Sequence, residues 1–288
     1  MEKMSLNNEV AGRDSVPASQ RNTPQWPSGR NLRQGIFELR LRSVDQLVEC
    51  LTRKFGMKIP DCMFRGQRKH SWPVVSSFDR YSRFLDFEAR QEALDRHLWQ
   101  FKRSIAGRRG ANPAQYTDAG EWWALGQHHG LWTPLIDWSR SPWIGLFFAL
   151  EAPKDPGARR PADRALYCLN WGHLYRLTPD DLSTGVELEV MSEIIDFFEC
   201  FPEDNARLLS QSGLFSFSRR FDSVEKAIRS LVKKKYAGSP LLVKIRIPED
   251  QRVAGIQLLR SMNINHATLF PDVSGAGLYA NALLSVEG

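Results

Sequence analysis

The chain has 288 residues and a net charge of +6, with 42% apolar and 25% charged residues, a balance that suits a globular protein with one large core or two small ones. No apolar run is long enough to cross a bilayer, the N-terminus has no apolar leader core, and the cysteines (Cys50, Cys62, Cys168, Cys200) lack metal-ligand spacing. The expectation is a reduced, cytoplasmic protein with no metal and no membrane partner. Its positive charge suits a phosphate-rich partner, although the clusters Arg108-Arg109, Arg159-Arg160, Arg219-Arg220 and Lys233-Lys234-Lys235 read equally well as solvated surface.

Residues 1–35 are polar, contain Pro17, Pro24 and Pro27, and show no periodicity, which predicts a flexible tail ahead of one domain over 36–288. Ser43 reads as the cap of a helix carrying Val44, Leu47, Val48 and Leu51. Asp61 to Gly66 reads as a strand ending in an Arg-Gly turn. Phe87, Leu94, Leu98, Phe101 and Ile105 repeat at helical spacing. Thr117 reads as the cap of the next helix, with Gly130 closing it and Gln127, His128 and His129 in its last turn. Trp132 to Asp137 reads as an extended segment. Ser141-Pro142 then starts a helix over 142–151 that is apolar on every side and therefore buried.

Beyond a proline-rich loop over 153–163, strands are predicted at Ala165 to Asn170, Leu214 to Phe217 and Leu241 to Ile247, and a helix over 187–200. Asp222 and Glu225 have capping-box spacing before a helix that ends in three lysines. A helix near Asp250 to Met262 and a strand at Ala267 to Phe270 complete a β-α-β rhythm. The fold class expected is α+β: a single mixed α/β domain with a small central sheet surrounded by helices.

Candidate functional groups collect around Phe64-Arg65-Gly66-Gln67 and Gln127-His128-His129-Gly130, continuing to Leu135-Ile136-Asp137-Trp138-Ser139. Cores do not bury such polar side chains without a hydrogen-bonding or ligand-binding reason. Arg65 suits an anion fork, or a buried ion pair with Asp137. Neighbouring helical residues point about 100° apart, so His128 and His129 cannot both face one point. The amino end of the apolar helix suits an anion, with Ser141 as its cap. Asn205, Arg207 and Gln211 form a second polar group, and Asp272 reads as a turn residue. Among nine tryptophans, Trp122, Trp123, Trp132, Trp138 and Trp143 lie close together and read as packing, or as a wall for stacking a base.

These residues resemble the FRG domain family. The likeness runs through Phe64-Arg65-Gly66-Gln67, Trp72, Arg80, Gln127 to Leu131, Thr133, Leu135 to Ser139, Ser141-Pro142 and the end of the apolar helix. It continues at Asn205, Arg207, Gln211, Gly213 and Phe215, then Leu269 to Asp272. Trp132-Thr133-Pro134 stands where the family has Pro-Thr-Arg, which leaves anion binding more heavily to Arg65. A looser similarity, to ADP-ribosyltransferases of the arginine–serine–glutamate type, makes Arg65 the first element and Ser139 or Ser141 the second. Glycine stands where that pattern has glutamate, so a carboxylate would fall to Asp137 or Asp272.

The resemblance implies a nucleotide-binding cleft with NAD as substrate, in a toxin or phage-defence effector that cleaves NAD or transfers ADP-ribose to a protein acceptor. The catalytic set implied is Arg65, Asp137, His129 and Ser141. The nucleotide-contacting set is Arg65, Gln67, His128, Ser139, Arg207 and Gln211, without a metal. Two rivals remain: a non-catalytic module binding nucleic acid or protein, and an RNA- or DNA-cleaving toxin with a histidine base.

Overall fold

A computed structural model describes residues 34–50, 61–110, 113–152, 162–183, 186, 194–199, 206–234 and 238–284. The expected N-terminal tail, Leu51, the loop over 153–161, Cys200, Asn205, Lys235 and most of the helix expected over 187–200 lie outside these residues.

Seven strands form one sheet: β1 (Ile36–Arg40), β2 (Met63–Gln67), β3 (Ile136–Ser139), β4 (Arg164–Leu169), β5 (Asp196–Phe198), β6 (Gly213–Phe217) and β7 (Leu242–Ile247). Their spatial order is β1-β7-β4-β2-β3-β6-β5. Strand β1 runs parallel to β7, and every other pairing is antiparallel. The mixed α+β class expected from the sequence is what the fold shows. In the interior strand β4, Ala165, Tyr167 and Leu169 enter one core cluster and Leu166 and Cys168 the other. This is the period-two alternation of a strand covered on both faces.

Helix α5 (Pro142–Leu150) covers one face, with α1 (Val44–Glu49) and α9 (Arg252–Ser261) beside it. Helices α6 (Trp171–Leu174) and α8 (Val224–Leu231) cover the other. A third cluster, around Phe78, Leu94, Trp123, Ala124, Leu135 and Phe215, seats α2 (Ser77–Ser82), α3 (Phe87–Ile105) and α4 (Ala119–His128). The chain also forms α7 (Ala206–Ser210), α10 (His266–Leu269) and α11 (Val273–Leu284). Among the described residues no helix is long and apolar enough to cross a membrane.

Helix α5 starts as its sequence dictates: the Ser141 hydroxyl accepts from Ile144 N, and Pro142 takes the first turn. Its far end is closed by two arginines. Arg164, only 1% exposed, donates to Ala149 O at 2.8 Å, and Arg252 Nε donates to Leu150 O at 2.9 Å. Carbonyls that have no partner within the helix are thereby satisfied. The arginines are held in turn: Arg164 Nη2 donates to Glu249 Oε1 at 2.9 Å.

Several sequence expectations are corrected. Arg65-Gly66 is not a turn but lies inside β2, and Gly66 is there for clearance. A Cβ on Gly66 would stand 2.2 Å from both Ala149 N and Gly145 O of α5. Ala267 to Phe270 is not a strand, because Asn265 caps it as helix α10, accepting from Ala267 N at 2.9 Å and Thr268 N at 3.2 Å.

Asp118, not Thr117, caps α4, with Glu121 completing the box. Ser223, not Asp222, caps α8; Asp222 instead pairs with Lys226 at 2.8 Å, and Lys233 and Lys234 follow the helix rather than end it. The extended segment sits at Ile136–Ser139, later than expected. Within the span expected to be helical, Asp196–Phe198 is an edge strand whose Phe198 packs on Phe215, ring centroids 5.4 Å apart.

Because backbone atoms block a side chain at Gly66, Gly66→Ala is expected to cost about 3 kcal/mol in urea unfolding. Gly277→Ala, where an added Cβ meets open space on α11, is expected to be neutral or to stabilise by up to about 1 kcal/mol.

Candidate functional site

The sheet is nearly divided at its centre. Strands β2 and β3 share a single registered pair, Phe64 with Ser139, whereas β2 with β4 and β3 with β6 are paired along their lengths. Where the ladder stops, Arg65 bridges the strands: its Nη1 donates to the main-chain oxygen of Asp137 at 2.7 Å. A cleft of about 400 Å³ opens at this break. Strand β2 contributes Phe64, Arg65 and Gly66 to it, and β3 contributes Asp137, Trp138 and Ser139. Gln127 and His128 come from α4, Arg207 and Gln211 from α7 and the residue beyond it, and Phe148 and Glu151 from the end of α5. Phe215 and Phe270 complete an apolar wall. The size and the mixture of aromatic surface with a few polar groups suit a small-molecule site.

Arg65 is the under-compensated charge of this cleft. Its side chain keeps 23% exposure, and the nearest carboxylate oxygen, Asp137 Oδ2, is 3.6 Å away on a side chain 61% exposed. Among the described residues its Nε is buried without a hydrogen-bond partner. Burial pushes the guanidinium pKa down, Asp137 opposes this, and the charge of Arg80 adds to it. Arginine does not lose its proton at any working pH, so the strain is an unmet demand for an anion.

The histidine motif explains how Asp137 is held. Gln127 accepts from the Thr133 hydroxyl and donates to Asp137 Oδ1. Thr133, fully buried, receives its own support from α2: its N–H donates to Ser77 Oγ at 2.9 Å. Thus a chain of contacts from Ser77 through Thr133, Gln127 and Asp137 ends at Arg65.

The structure brings Arg65, Asp137, His128, Ser139, Arg207 and Gln211 to one cleft and leaves three expected residues elsewhere. Gln67 is buried and its amide donates to Pro73 O at 3.2 Å, tying down the turn after β2. His129 is the C-cap of α4 and lines a neighbouring hollow with Arg108, Arg109 and Tyr116. Ser141 is spent on capping α5, and the cleft meets the carboxyl end of that helix, not the expected amino end.

Several of the groups inside the cleft are also committed. Arg207 Nε donates to Asp272 Oδ2 at 2.8 Å, and Gln211 donates to Leu269 O at 3.1 Å. The hydroxyl of Ser139 donates to Gln211 O at 2.7 Å. Asp272 is more than a turn residue, since it also accepts from Gly275 N at 2.9 Å. His128 is exposed, and burial, with the charges of His129 and Arg207, holds its pKa below the usual value. Among the described residues no group of three or more His, Cys, Asp or Glu gathers as metal ligands.

Comparison with known families bears on these residues directly: the model of the FRG domain matches residues 60–157. The chain carries an FRG domain. The match contains β2, β3 and α2 to α5, and with them Arg65, Gln127, His128, Asp137 and Glu151. Arg207, Gln211 and Phe270 line the cleft from beyond it. No curated protein and no solved structure matches the chain.

Sequence reasoning missed Glu151, which closes the cleft at the end of α5. The available signal was an acid at the carboxyl end of an apolar helix, where the dipole disfavours it.

Since the Ser141 hydroxyl serves the helix, Ser141→Ala is expected to lower stability by about 1 kcal/mol in urea unfolding and to leave ligand binding in the cleft unchanged.

Proposed function

We propose that the cleft of this FRG domain binds a phosphate-bearing nucleotide, and that NAD is the substrate, cleaved at its nicotinamide–ribose bond or used to transfer ADP-ribose to an acceptor. One observation carries this reading: Arg65 stands at the break in the sheet and, among the described residues, its buried Nε has no partner and no carboxylate is in hydrogen-bonding contact with it. A phosphate oxygen would supply what Asp137 does not. Gln127, Gln211 and His128 line the same space with groups suited to ribose hydroxyls and base edges, and Phe148, Phe215 and Phe270 offer apolar surface to a ring. An NAD-consuming effector of the toxin or phage-defence kind is the physiological role that follows.

A second reading is favoured by His128, which is exposed, lines the cleft and is held toward its neutral form, the state a base needs. In that reading His128 takes the proton of the RNA 2′-hydroxyl during strand cleavage.

Full-length protein incubated with NAD labelled in the nicotinamide is expected to release the label, and NAD or ADP-ribose to raise its melting temperature. Arg65→Ala is expected to fold and to bind these ligands about 10- to 100-fold more weakly, the loss of one charge-assisted contact. Absence of both label release and a melting shift would rule out NAD, and RNA cleavage that disappears in His128→Ala would establish the second reading. Collapse of Arg65→Ala would make the polar network a scaffold.

A further inference from the structure

Glu151 sits where the cleft meets a small hollow behind it, walled by Phe147, Ile256, Ile264, His266 and Tyr279. It is the C-cap of α5 and its side chain is 31% exposed. The charged groups around it come from every packed element, and the cations nearest to it are already engaged. Arg164 on β4 holds Glu249 and Ala149 O. Arg252 on α9 donates to the carbonyls of Leu150, Glu151 and Ala152. Arg260 donates to Ala282 O at 3.0 Å, and Arg207, across the cleft, holds Asp272. Arg65, His128 and Asp137 line the cleft, and Tyr279 lines the hollow.

Among the described residues the ion-pair contact of the Glu151 carboxyl is with His266, whose Nε2 lies 3.3 Å from Oε2. The His266 ring is fixed between Phe147, centroids 4.9 Å apart and edge-on, and Phe270, nearly parallel at 6.1 Å. Burial and the charge of Arg260 hold this histidine toward its neutral form. Glu151 also stands at the negative end of the α5 dipole. Burial, opposed by the charge of Arg164, pushes its pKa up to about 7.

We infer that Glu151 is the proton-exchanging group of the cleft, a general base oriented by His266 that accepts the proton of the attacking hydroxyl when the N-glycosidic bond of a bound nucleotide breaks. This deepens the NAD-cleaving reading and rests on it. A lone pair of the water or acceptor oxygen forms the bond to ribose C1′, and the C1′–N electron pair passes to nicotinamide, which leaves neutral. The hydroxyl proton passes to the Glu151 carboxylate and from there to solvent through the cleft.

The test is Glu151→Gln in the full chain. NAD binding is expected to stay within a few-fold while cleavage falls about 100-fold or more, and the activity limb near pH 7 disappears. A readout independent of activity accompanies it. The folded carboxyl holds its proton more tightly than the unfolded one, so its contribution to stability is complete at low pH and declines as pH rises from about 4.5 to about 7. The melting temperature of Glu151→Gln, relative to the parent protein, should therefore rise between pH 5 and pH 8.

His266→Leu, which removes the imidazole Nε2 that lies 3.3 Å from the carboxylate, is expected to move the limb to higher pH. If Glu151→Gln cleaves NAD with the parent's pH profile, or if its relative melting temperature is flat with pH, the inference fails and the nucleotide cleft stands. A parent protein that does not bind NAD overturns both. Should Glu151→Gln fail to fold, an unmoved limb in His266→Leu overturns the inference.

Discussion

The close contact between β2 and α5 is the constraint on which the rest depends. Two glycines make it: Gly66 has no room for a side chain against the α5 backbone, and a Cβ on Gly145 would lie 2.8 Å from Phe64 Cβ. Each removes the side chain that would hold strand and helix apart, so that helix and sheet share one layer of packing around Phe64, Leu166 and Cys168. Overpacking at Gly66 cannot be relieved by a rotamer change, because what lies opposite is main chain. The helix is then fixed at its start by Ser141 and at its finish by Arg164 and Arg252, and its carboxyl end is delivered to the cleft.

The cleft follows from an interruption in the sheet. A continuous ladder between β2 and β3 would have consumed the backbone groups that Arg65 now reaches. With one registered pair, the strands present polar main chain and side chains to a shared opening, and an arginine takes over part of the ladder's role. That substitution leaves the arginine partly satisfied. By contrast Arg90, more deeply buried than Arg65, is completely provided for by Asp79 at 2.7 Å and by the carbonyls of Arg219 and Ser218. Among the described residues the two arginines differ in hydrogen-bond accounting: that of Arg90 closes and that of Arg65 does not.

Some local signals in the sequence were reliable, whereas the caps read at Thr117 and Asp222 were each one residue off. The cap and proline of α5, the long stripe of α3 and the position of β4 all depend on a few neighbouring residues. Strand β1 went unread because its partner, β7, lies about two hundred residues away and the pairing is parallel, so nothing nearby announces it. Gly66 was read as a turn because a glycine needed for clearance and one needed for a bend look alike until the facing helix is known. At the site, grouping by motif located Arg65, His128, Asp137 and Ser139, but Gln67 had turned to its own loop and Ser141 to its own helix. Glu151 was missed for a different reason: its raised pKa comes from burial, which Arg164 only opposes, and that burial is a fact of tertiary arrangement.

One consequence of the strand order concerns modularity. The family match ends at residue 157, yet β2 is flanked on one side by β4, over Arg164–Leu169, and β3 by β6, over Gly213–Phe217. An excised 60–157 fragment would expose β2 and β3 as raw edges and lose Arg207, Gln211, Phe215 and Phe270 from the lining of the cleft. The signature segment therefore cannot be grafted into a foreign protein by itself, and recombination that carries it intact must also carry the later strands that flank it.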